Sequence, residues 1–129
     1  TFDLKQAVID VVPPRFLNKT LARVFQAIRI AVNDELSILT NTLNQTVNYL
    51  KNGGRLIVIS YHSLEDRIVK KFIREQSKMC ICPKEIPICK CEKTAQLKNI
   101  TKKLIVPSLA EVKLNKKSRS AKMRVAEKL

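Results

Sequence analysis

Glycine is scarce in this sequence of 129 residues, which contains only the adjacent pair Gly53 and Gly54. A dinucleotide-binding fingerprint needs three spaced glycines. A phosphate-binding loop needs two glycines flanking four residues before Lys-Ser or Lys-Thr. Neither motif can be formed from an adjacent pair. The sequence therefore excludes a glycine-rich cofactor loop within this chain, and we expect no cofactor-binding residues in it.

Long apolar runs are also missing, and no segment approaches the roughly 18 to 20 residues that span a bilayer. Asp3 and Asp10 interrupt the first stretch, which does not resemble a signal peptide. We therefore expect a cytoplasmic protein with no membrane partner. Hydrophobic residues still make up 45% of the chain, which is enough for an ordinary folded core and too many for a disordered tail.

Acidic residues are few relative to basic ones, and the imbalance is concentrated in the second half of the chain. The formal net charge is +14. Residues 1–67 hold eight basic and six acidic groups, a balance of +2, whereas residues 68–129 hold seventeen and five, a balance of +12. This asymmetry predicts that the second half faces nucleic acid, and a solvated lysine-rich surface is the alternative.

Two helices are predicted before the double glycine. Residues 3–12 place apolar side chains on one face of a short helix, which ends at two consecutive prolines. From about Thr20 an apolar stripe keeps a 3.6-residue period as far as Leu50, which predicts one long helix packed against a larger surface. Asn18 or Thr20 can cap its start, and the double glycine ends it.

The next segment predicts one layer of an α/β fold. Leu56–Ile59 is a run of four apolar residues after a turn, which predicts a fully buried strand of the kind found in parallel sheets. Ser63 then begins a helix as its N-cap, with Asp66 three positions on, and the helical face continues to about Gln76. Helix, strand, helix is the order of an α/β layer. One strand cannot form a sheet, so its neighbours must lie elsewhere in the chain or outside it.

The remaining third of the chain begins without periodicity. Residues 80–91 contain two prolines and four cysteines and are interpreted as a compact irregular loop. Residues 100–106 are interpreted as a strand or extended segment, and residues 108–114 as a short helical turn. Apolar and basic residues alternate from Ser120 to Ala126, which predicts a half-exposed strand at the edge of a sheet.

The four cysteines follow the pattern C-x-C-x6-C-x-C at Cys80, Cys82, Cys89 and Cys91. Four thiolates suit a tetrahedral Zn²⁺ ion, which would hold an otherwise structureless loop in place. Zinc ligands are more often spaced C-x2-C, although the thiols of C-x-C in an extended chain point to the same side. Free thiols at or near the surface are the alternative. Disulfides are not expected without an export signal.

Two polar clusters are candidates for chemistry. His62 is the single histidine and lies with Tyr61 and Ser63 just after the predicted strand. Carboxyl ends of strands in open α/β sheets face the ligand crevice, so His62 could serve as an acid or base there. The alternative is that His62 and Ser63 only cap the next helix. Residues 33–35 form a polar cluster beside the apolar stripe of the predicted long helix, one turn after Arg29. This cluster is either a solvated helix face or a hydrogen-bonding patch at the rim of an active site.

Three motifs, in order along the chain, resemble one enzyme family. Phe25–Leu36 (FQAIRIAVNDEL) is similar to a signature helix of the RsmH/MraW-type enzymes, which are small-subunit ribosomal RNA N4-cytosine methyltransferases. Gly53–Lys70 (GGRLIVISYHSLEDRIVK) resembles the next block of that family, and Ser118–Arg124 (SRSAKMR) resembles its closing strand. The resemblance spans nearly all of the chain.

The resemblance implies the α/β fold of a Rossmann-like, class I S-adenosylmethionine-dependent methyltransferase. This chain would be the C-terminal part of that fold, with an incomplete sheet. Residues 1–18 would form the end of an inserted helical domain, and residues 19–129 the C-terminal part of the methyltransferase domain with its irregular loop at 80–91. The S-adenosylmethionine site would then lie mostly in a preceding N-terminal half, so we expect this chain alone to be inactive.

The implied reaction is methyl transfer to N4 of a cytidine in small-subunit rRNA, with the rRNA or the ribosomal subunit as partner. An aromatic amine is a poor nucleophile, so positioning it and removing its proton should carry catalysis. The residues implied to be catalytic are Asn33, Asp34, His62 and Ser63. The residues implied to contact RNA are Arg29, Tyr61, Arg67, Arg119, Lys122 and Arg124. A non-catalytic, basic RNA-binding module, with or without a zinc staple, is the alternative.

Overall fold

The computed structural model describes residues 1–83 and 91–129. Its elements, in chain order, are α1 (Phe2–Val11), α2 (Pro14–Val32), α3 (Glu35–Tyr49), β1 (Arg55–Ser60), α4 (Ser63–Gln76), β2 (Leu97–Asn99), α5 (Leu109–Leu114), a 3-10 turn (Lys116–Ser120) and β3 (Lys122–Lys128). The chain divides into two compact units, Thr1–Ser37 and Ile38–Leu129. None of the helices described is both long and apolar enough to cross a membrane.

The first unit is built on the pair of helices α1 and α2, which pack against each other through a face that buries Val8. The prediction that α1 ends at the two prolines is confirmed. Pro14 is the first residue of α2, where a fixed φ and a missing N–H suit a helix start. The prediction of Asn18 or Thr20 as N-cap was wrong, because both lie inside α2. The expected domain boundary after residue 18 also falls within this helix, and it stays a prediction.

A two-residue corner replaces the single long helix that the sequence predicts. Helix α2 ends at Val32 and α3 begins at Glu35. Asp34 between them has a φ of 49°, a left-handed conformation that interrupts a helix and that Asp and Asn tolerate better than most residues. The apolar period continues through the corner. An apolar period therefore predicts helical structure but does not reveal a break of two residues in the helix.

The second unit contains a three-stranded sheet in the order β1-β3-β2, with both pairs antiparallel. The prediction of a fully buried, parallel-type strand was wrong, because burial alternates along β1 and leaves Ile57 58% and Ile59 55% exposed. The prediction of an edge strand at 120–126 was also wrong. Strand β3 is central, since its residues pair with β1 on one side and β2 on the other. Alternation reports which faces are buried and says nothing about which edges are paired.

The connection between β2 and β3 corresponds only partly to the sequence prediction. Strand β2 covers Leu97–Asn99, and the expected extended segment at 100–106 contributes one isolated bridge, between Ile105 and Met123. The short helix expected at 108–114 is confirmed as α5. Ser108 is its N-cap, and the Ser108 hydroxyl accepts a hydrogen bond from the Glu111 N–H at 3.1 Å.

The core of the second unit lies on one face of the sheet, beneath α3 and α4. Val69, Phe72 and Ile73 of α4 form its largest contribution and pack among residues from each strand. The buried set is Leu43, Val47, Leu56, Val69, Phe72, Ile73, Leu97 and Ala126. Because all three strands contribute to one apolar cluster, the sheet and its two helices stabilise each other.

Both glycines belong to the turn that leads from α3 into β1. Gly53 has a φ of 79°, which favours glycine. A Cβ at Gly54 would lie 2.8 Å from the carbonyl oxygen of Lys51. The turn is paired to β3, because the N–H of Gly53 donates to the Lys128 carbonyl at 2.8 Å. These glycines therefore shape the start of β1, the end of the strand opposite to Tyr61.

Candidate functional site

A reciprocal cap joins the end of β1 to the start of α4. His62 is the N-cap residue, and its Nδ1 accepts a hydrogen bond from the Glu65 N–H at 3.4 Å. Oε2 of Glu65 accepts from the N–H groups of Tyr61 at 2.9 Å and His62 at 3.2 Å. The predicted cap at Ser63 with Asp66 was wrong by one position, because His62 and Glu65 satisfy these backbone donors together.

The cap fixes the imidazole of His62. Since Nδ1 accepts a hydrogen bond, the neutral ring carries its proton on Nε2. Nε2 is buried 3.2 Å from Oε1 of Glu65, and no atom in the described part of the chain satisfies it with hydrogen-bond geometry. The capping interpretation of His62 is thus confirmed. A role for His62 in catalysis stays a prediction.

The other side chains at this strand end differ in exposure. Tyr61 is 58% exposed, and Ser63 at the first position of α4 is exposed as well. Ser60 is buried and donates from its hydroxyl to the Lys122 carbonyl at 3.4 Å, which ties the strand end to β3. The end of β1 therefore presents an aromatic ring and a hydroxyl to solvent.

The corner between α2 and α3 holds the second polar cluster. The Arg29 guanidinium donates twice to the Glu35 carboxylate, at 2.8 and 3.1 Å. The Asn33 amide donates to the same carboxylate at 3.2 Å. The carboxylate of Asp34 is exposed and makes no side-chain hydrogen bond within the described segments. Of the two carboxylates at this corner, that of Glu35 accepts hydrogen bonds from Arg29 and Asn33, whereas the oxygens of Asp34 accept none from the described side chains.

Arg124 pairs with an aspartate on the neighbouring helix. Its Nε donates to Oδ1 of Asp66 at 2.7 Å and its second nitrogen donates to Oδ2 at 3.2 Å. The two side chains are 13% and 14% exposed. The hydrogen bonds from Arg124 lower the pKa of Asp66, and the positive charges of Arg124, Lys122 and Lys70 add to that effect, while burial opposes it. This ion pair therefore links α4 to β3.

The remaining residues implied to contact RNA occupy different elements. Arg67 is exposed on α4, Arg119 is exposed in the 3-10 turn, and Lys122 is half-buried at the start of β3. Contact with RNA stays a prediction for these residues, as for Arg29, Tyr61 and Arg124.

A basic stripe on α4 was missed by the sequence interpretation. We use this name for Arg67, Lys70, Lys71 and Arg74, which recur at helical spacing on the side opposite the buried residues and are all exposed. Lys70 and Arg74 also line a recess with Lys102 and Arg124. The sequence contains both signals for this stripe, namely the excess of basic residues after residue 67 and the helical period after Ser63. Placing the basic residues on the predicted helix would have located the stripe.

Three of the four cysteines come together next to the end of α4. The Sγ atoms of Cys80, Cys82 and Cys91 all lie within 4.8 Å of one another, and those of Cys80 and Cys91 are 3.5 Å apart. Cys89, the fourth cysteine of the predicted zinc motif, lies outside the described residues.

Comparisons with known proteins agree on one family. The profile of the MraW methylase family matches residues 1–129. A protein of Carboxydothermus hydrogenoformans named ribosomal RNA small subunit methyltransferase H is 51% identical over all of this chain and 42% of its own length. A namesake from Caldicellulosiruptor saccharolyticus is 50% identical over the same shares. One from Clostridioides difficile is 50% identical over 83% of this chain and 34% of its own length. The chain thus spans about two fifths of the length of these relatives.

Proposed function

Since the chain belongs to the MraW methylase family, we propose that it forms the C-terminal part of an enzyme that methylates N4 of a cytidine in small-subunit rRNA with S-adenosylmethionine as donor. The match along the whole chain carries this proposal, because the matched relatives are named as small-subunit rRNA methyltransferases. The mixed α/β fold with a small sheet supports it.

The residues of this chain do not fit a donor site. The donor, when bound, supplies a methyl group on positively charged sulfur. Class I folds hold such ligands at a glycine-containing loop beyond the carboxyl end of a strand, whereas Gly53 and Gly54 form the turn before β1. We therefore assign donor binding to parts of the enzyme outside these 129 residues and acceptor-side functions to this chain.

Asp34 is the proton acceptor in this proposal. The exocyclic amine of cytosine becomes a nucleophile only as it loses a proton, and an exposed carboxylate can accept that proton. The left-handed backbone at Asp34 and the Arg29–Glu35–Asn33 hydrogen bonds hold the carboxylate on a rigid corner. Arg29 and Asn33 then act as positioning residues, because their side chains bind Glu35.

The end of β1 and the basic stripe have separate proposed tasks. The exposed ring of Tyr61 offers a surface on which an unstacked base can pack. Among the residues that the structure describes, Arg74 alone in the stripe has a close acidic partner, Glu75 at 3.6 Å. The four cations are therefore suited to contacts with rRNA phosphates.

The test of this function is Asp34→Asn in the full-length enzyme. Asn tolerates the left-handed backbone of Asp34 and keeps its size, but it cannot accept the amine proton. We expect unchanged thermal unfolding and a fall in methyl transfer of about 100-fold or more. The measurement is incorporation of labelled methyl groups into small-subunit rRNA, followed by nucleoside mass spectrometry to identify N4-methylcytidine.

Asp3→Asn, an equal charge change in α1, is the matched control. Full activity of Asp34→Asn would remove the proposed role of the carboxylate. If the unaltered full-length protein binds rRNA in a salt-dependent manner but methylates nothing, the non-catalytic RNA-binding module is correct instead.

A further inference from the structure

The α4–β2 connection brings three thiols into a cluster that methyl transfer does not use. Cys80 and Cys82 lie shortly after α4 ends at Gln76, and Cys91 lies shortly before β2 begins at Leu97. All three Sγ atoms are within 4.8 Å of one another. Cys80 and Cys91 are 11 positions apart in the sequence, so the proximity of their sulfur atoms does not follow from chain adjacency.

We propose that Cys80, Cys82 and Cys91 bind one Zn²⁺ ion as thiolates. In a tetrahedral site with Zn–S bonds of about 2.3 Å, sulfur atoms lie about 3.8 Å apart. The Cys80–Cys91 separation of 3.5 Å and the common limit of 4.8 Å fit that edge length. A disulfide requires sulfur atoms at about 2.05 Å. The fourth coordination position belongs to a ligand other than these three.

Backbone N–H groups point at two of the three sulfur atoms of the cluster. The N–H of Ile81 points at Cys91 Sγ at 3.4 Å, and the N–H of Cys82 points at Cys80 Sγ at 3.3 Å. Hydrogen bonds to ligand atoms orient them and tune their affinity for the metal. Hard cations such as Mg²⁺ and Ca²⁺ prefer oxygen ligands, whereas thiolates suit Zn²⁺ and softer metals such as Cu(I), which the elemental analysis below distinguishes.

The position of the cluster gives the metal a structural task. The two ends of the connection are already joined by a hydrogen bond from the Gln96 N–H to the Gln76 carbonyl at 2.9 Å. The next residue, Leu97, is 1% exposed in the core. A metal at the three thiols would close the loop between Cys80 and Cys91 and fix the approach of β2 to the sheet.

The experiment measures Zn²⁺ directly in the full-length protein, purified without a metal-affinity tag in the presence of a phosphine reductant. We expect about one Zn²⁺ per chain by elemental analysis and a sulfur shell at about 2.3 Å in zinc-edge X-ray absorption. Competition against a chromophoric chelator gives the affinity. Each of Cys80→Ser, Cys82→Ser and Cys91→Ser should weaken it by about 100-fold or more.

Met79→Ser is the matched control, since it replaces an exposed sulfur-containing residue next to Cys80 with serine. It should leave both the metal content and the affinity unchanged. Cys89→Ser shows whether the fourth ligand is a thiolate, because the number of sulfur atoms in the absorption spectrum falls from four to three if it is.

Two outcomes would overturn the proposal. One is failure of the reduced protein to compete with the chelator for Zn²⁺ while its thiols remain fully reactive, which means free cysteines. The other is a Cys80–Cys91 disulfide in the peptide map of protein isolated without reductant, together with absent zinc. Both measurements are independent of methyl transfer, so this proposal and the proposed function fail separately.

Discussion

The ion pair between Asp66 and Arg124 joins the helix that begins at the candidate site to the central strand of the sheet. Its two hydrogen bonds leave both side chains nearly buried. A paired charge in such surroundings is stabilised, whereas the loss of one partner leaves the other buried without compensation. The pair therefore stabilises the packing of α4 against β3, and the Arg124 guanidinium is bound to Asp66 within the protein.

We expect Asp66→Asn to lower the free energy of unfolding by about 1 to 3 kcal/mol at pH 7, since charged hydrogen bonds of this kind contribute that much. The folded-state pKa of Asp66 is lowered, so its contribution is present above the unfolded pKa of about 3.9 and is lost as pH falls through the folded pKa. The stability difference between variant and wild type should thus shrink towards pH 3. Urea unfolding across pH 3 to 7 measures it.

Glu75→Gln provides the comparison for Asp66→Asn, because it removes one carboxylate from the same helix. Glu75 pairs with Lys78 at 2.9 Å on the exposed side of α4, where screening leaves little net stabilisation. We expect its stability at pH 7 to equal that of wild type. Equal destabilisation by both variants would show that the helix loses stability through general charge effects.

Among the structural elements, helix α4 has His62 as its N-cap residue, which gives this histidine a structural role. The imidazole accepts the Glu65 N–H and thereby performs the task that Asn, Asp or Ser usually performs. A strand-end histidine and a capping histidine look alike in sequence, since both follow a strand and precede a helix. The hydrogen bonds distinguish them, and they show that the cap exists whatever else His62 does.

A pair of substitutions separates the cap from any imidazole chemistry. His62→Ala should lower the free energy of unfolding by about 0.5 to 2 kcal/mol, because a helix N–H loses its acceptor. His62→Asn should restore most of that loss, since Asn is a good N-cap. Rescue of both stability and methyl transfer by Asn assigns His62 to structure. Rescue of stability alone shows that the reaction needs the imidazole.

How well the sequence predicts these elements depends on the physical signal involved. The apolar period located the helices α1 and α4 within a few residues, and a continuous apolar run after a turn located β1. The corner at Asp34 was missed because left-handed backbone at one residue leaves the apolar period intact. The central position of β3 was missed because edge pairing is a long-range property, set by Ser60 opposite Lys122 and Leu97 opposite Lys128.

The candidate site was predictable to a similar extent. The resemblance of Phe25–Leu36 and Gly53–Lys70 selected the residues, but their tasks depend on contacts between side chains. Neither the Asp66–Arg124 pair nor the bonds from Arg29 to Glu35 can be inferred from spacing. The first joins residues 58 positions apart, and the second forms across the corner between α2 and α3. The count of basic residues predicted that a positively charged surface exists, and the helix face of α4 shows where the basic stripe lies.

At the scale of the whole molecule, the proposed function assigns recognition of RNA and binding of the methyl donor to different parts of the enzyme. The isolated 129-residue chain should therefore bind small-subunit rRNA fragments, with an affinity that falls as salt rises, while calorimetry detects no binding of S-adenosylmethionine at micromolar concentrations. Glutamine at Lys70, Lys71 and Arg74 should reduce the log–log salt slope by about 2, at about 0.7 per contact with single-stranded RNA.

Glutamine at Lys5, Lys19 and Arg23 is the comparison for that triple variant, because it removes the same charge from exposed positions of the first unit. Its salt slope should stay closer to that of wild type. Micromolar binding of S-adenosylmethionine by the isolated chain would contradict the assignment of the donor site to other parts of the enzyme.

The central position of β3 has a consequence for the order in which this protein acquires its structure. The Ser60 hydroxyl donates to the Lys122 carbonyl, 62 positions further along the chain, so β1 can pair with β3 only after a ribosome has synthesised residues 122–128. Closing so large a loop is entropically costly and slows folding. During translation, Leu56 and the apolar face of α4 therefore lack their contacts with Ala126 of β3 until synthesis is nearly complete. A metal ion bound early between Cys80 and Cys91 would shorten the segment that still has to become ordered.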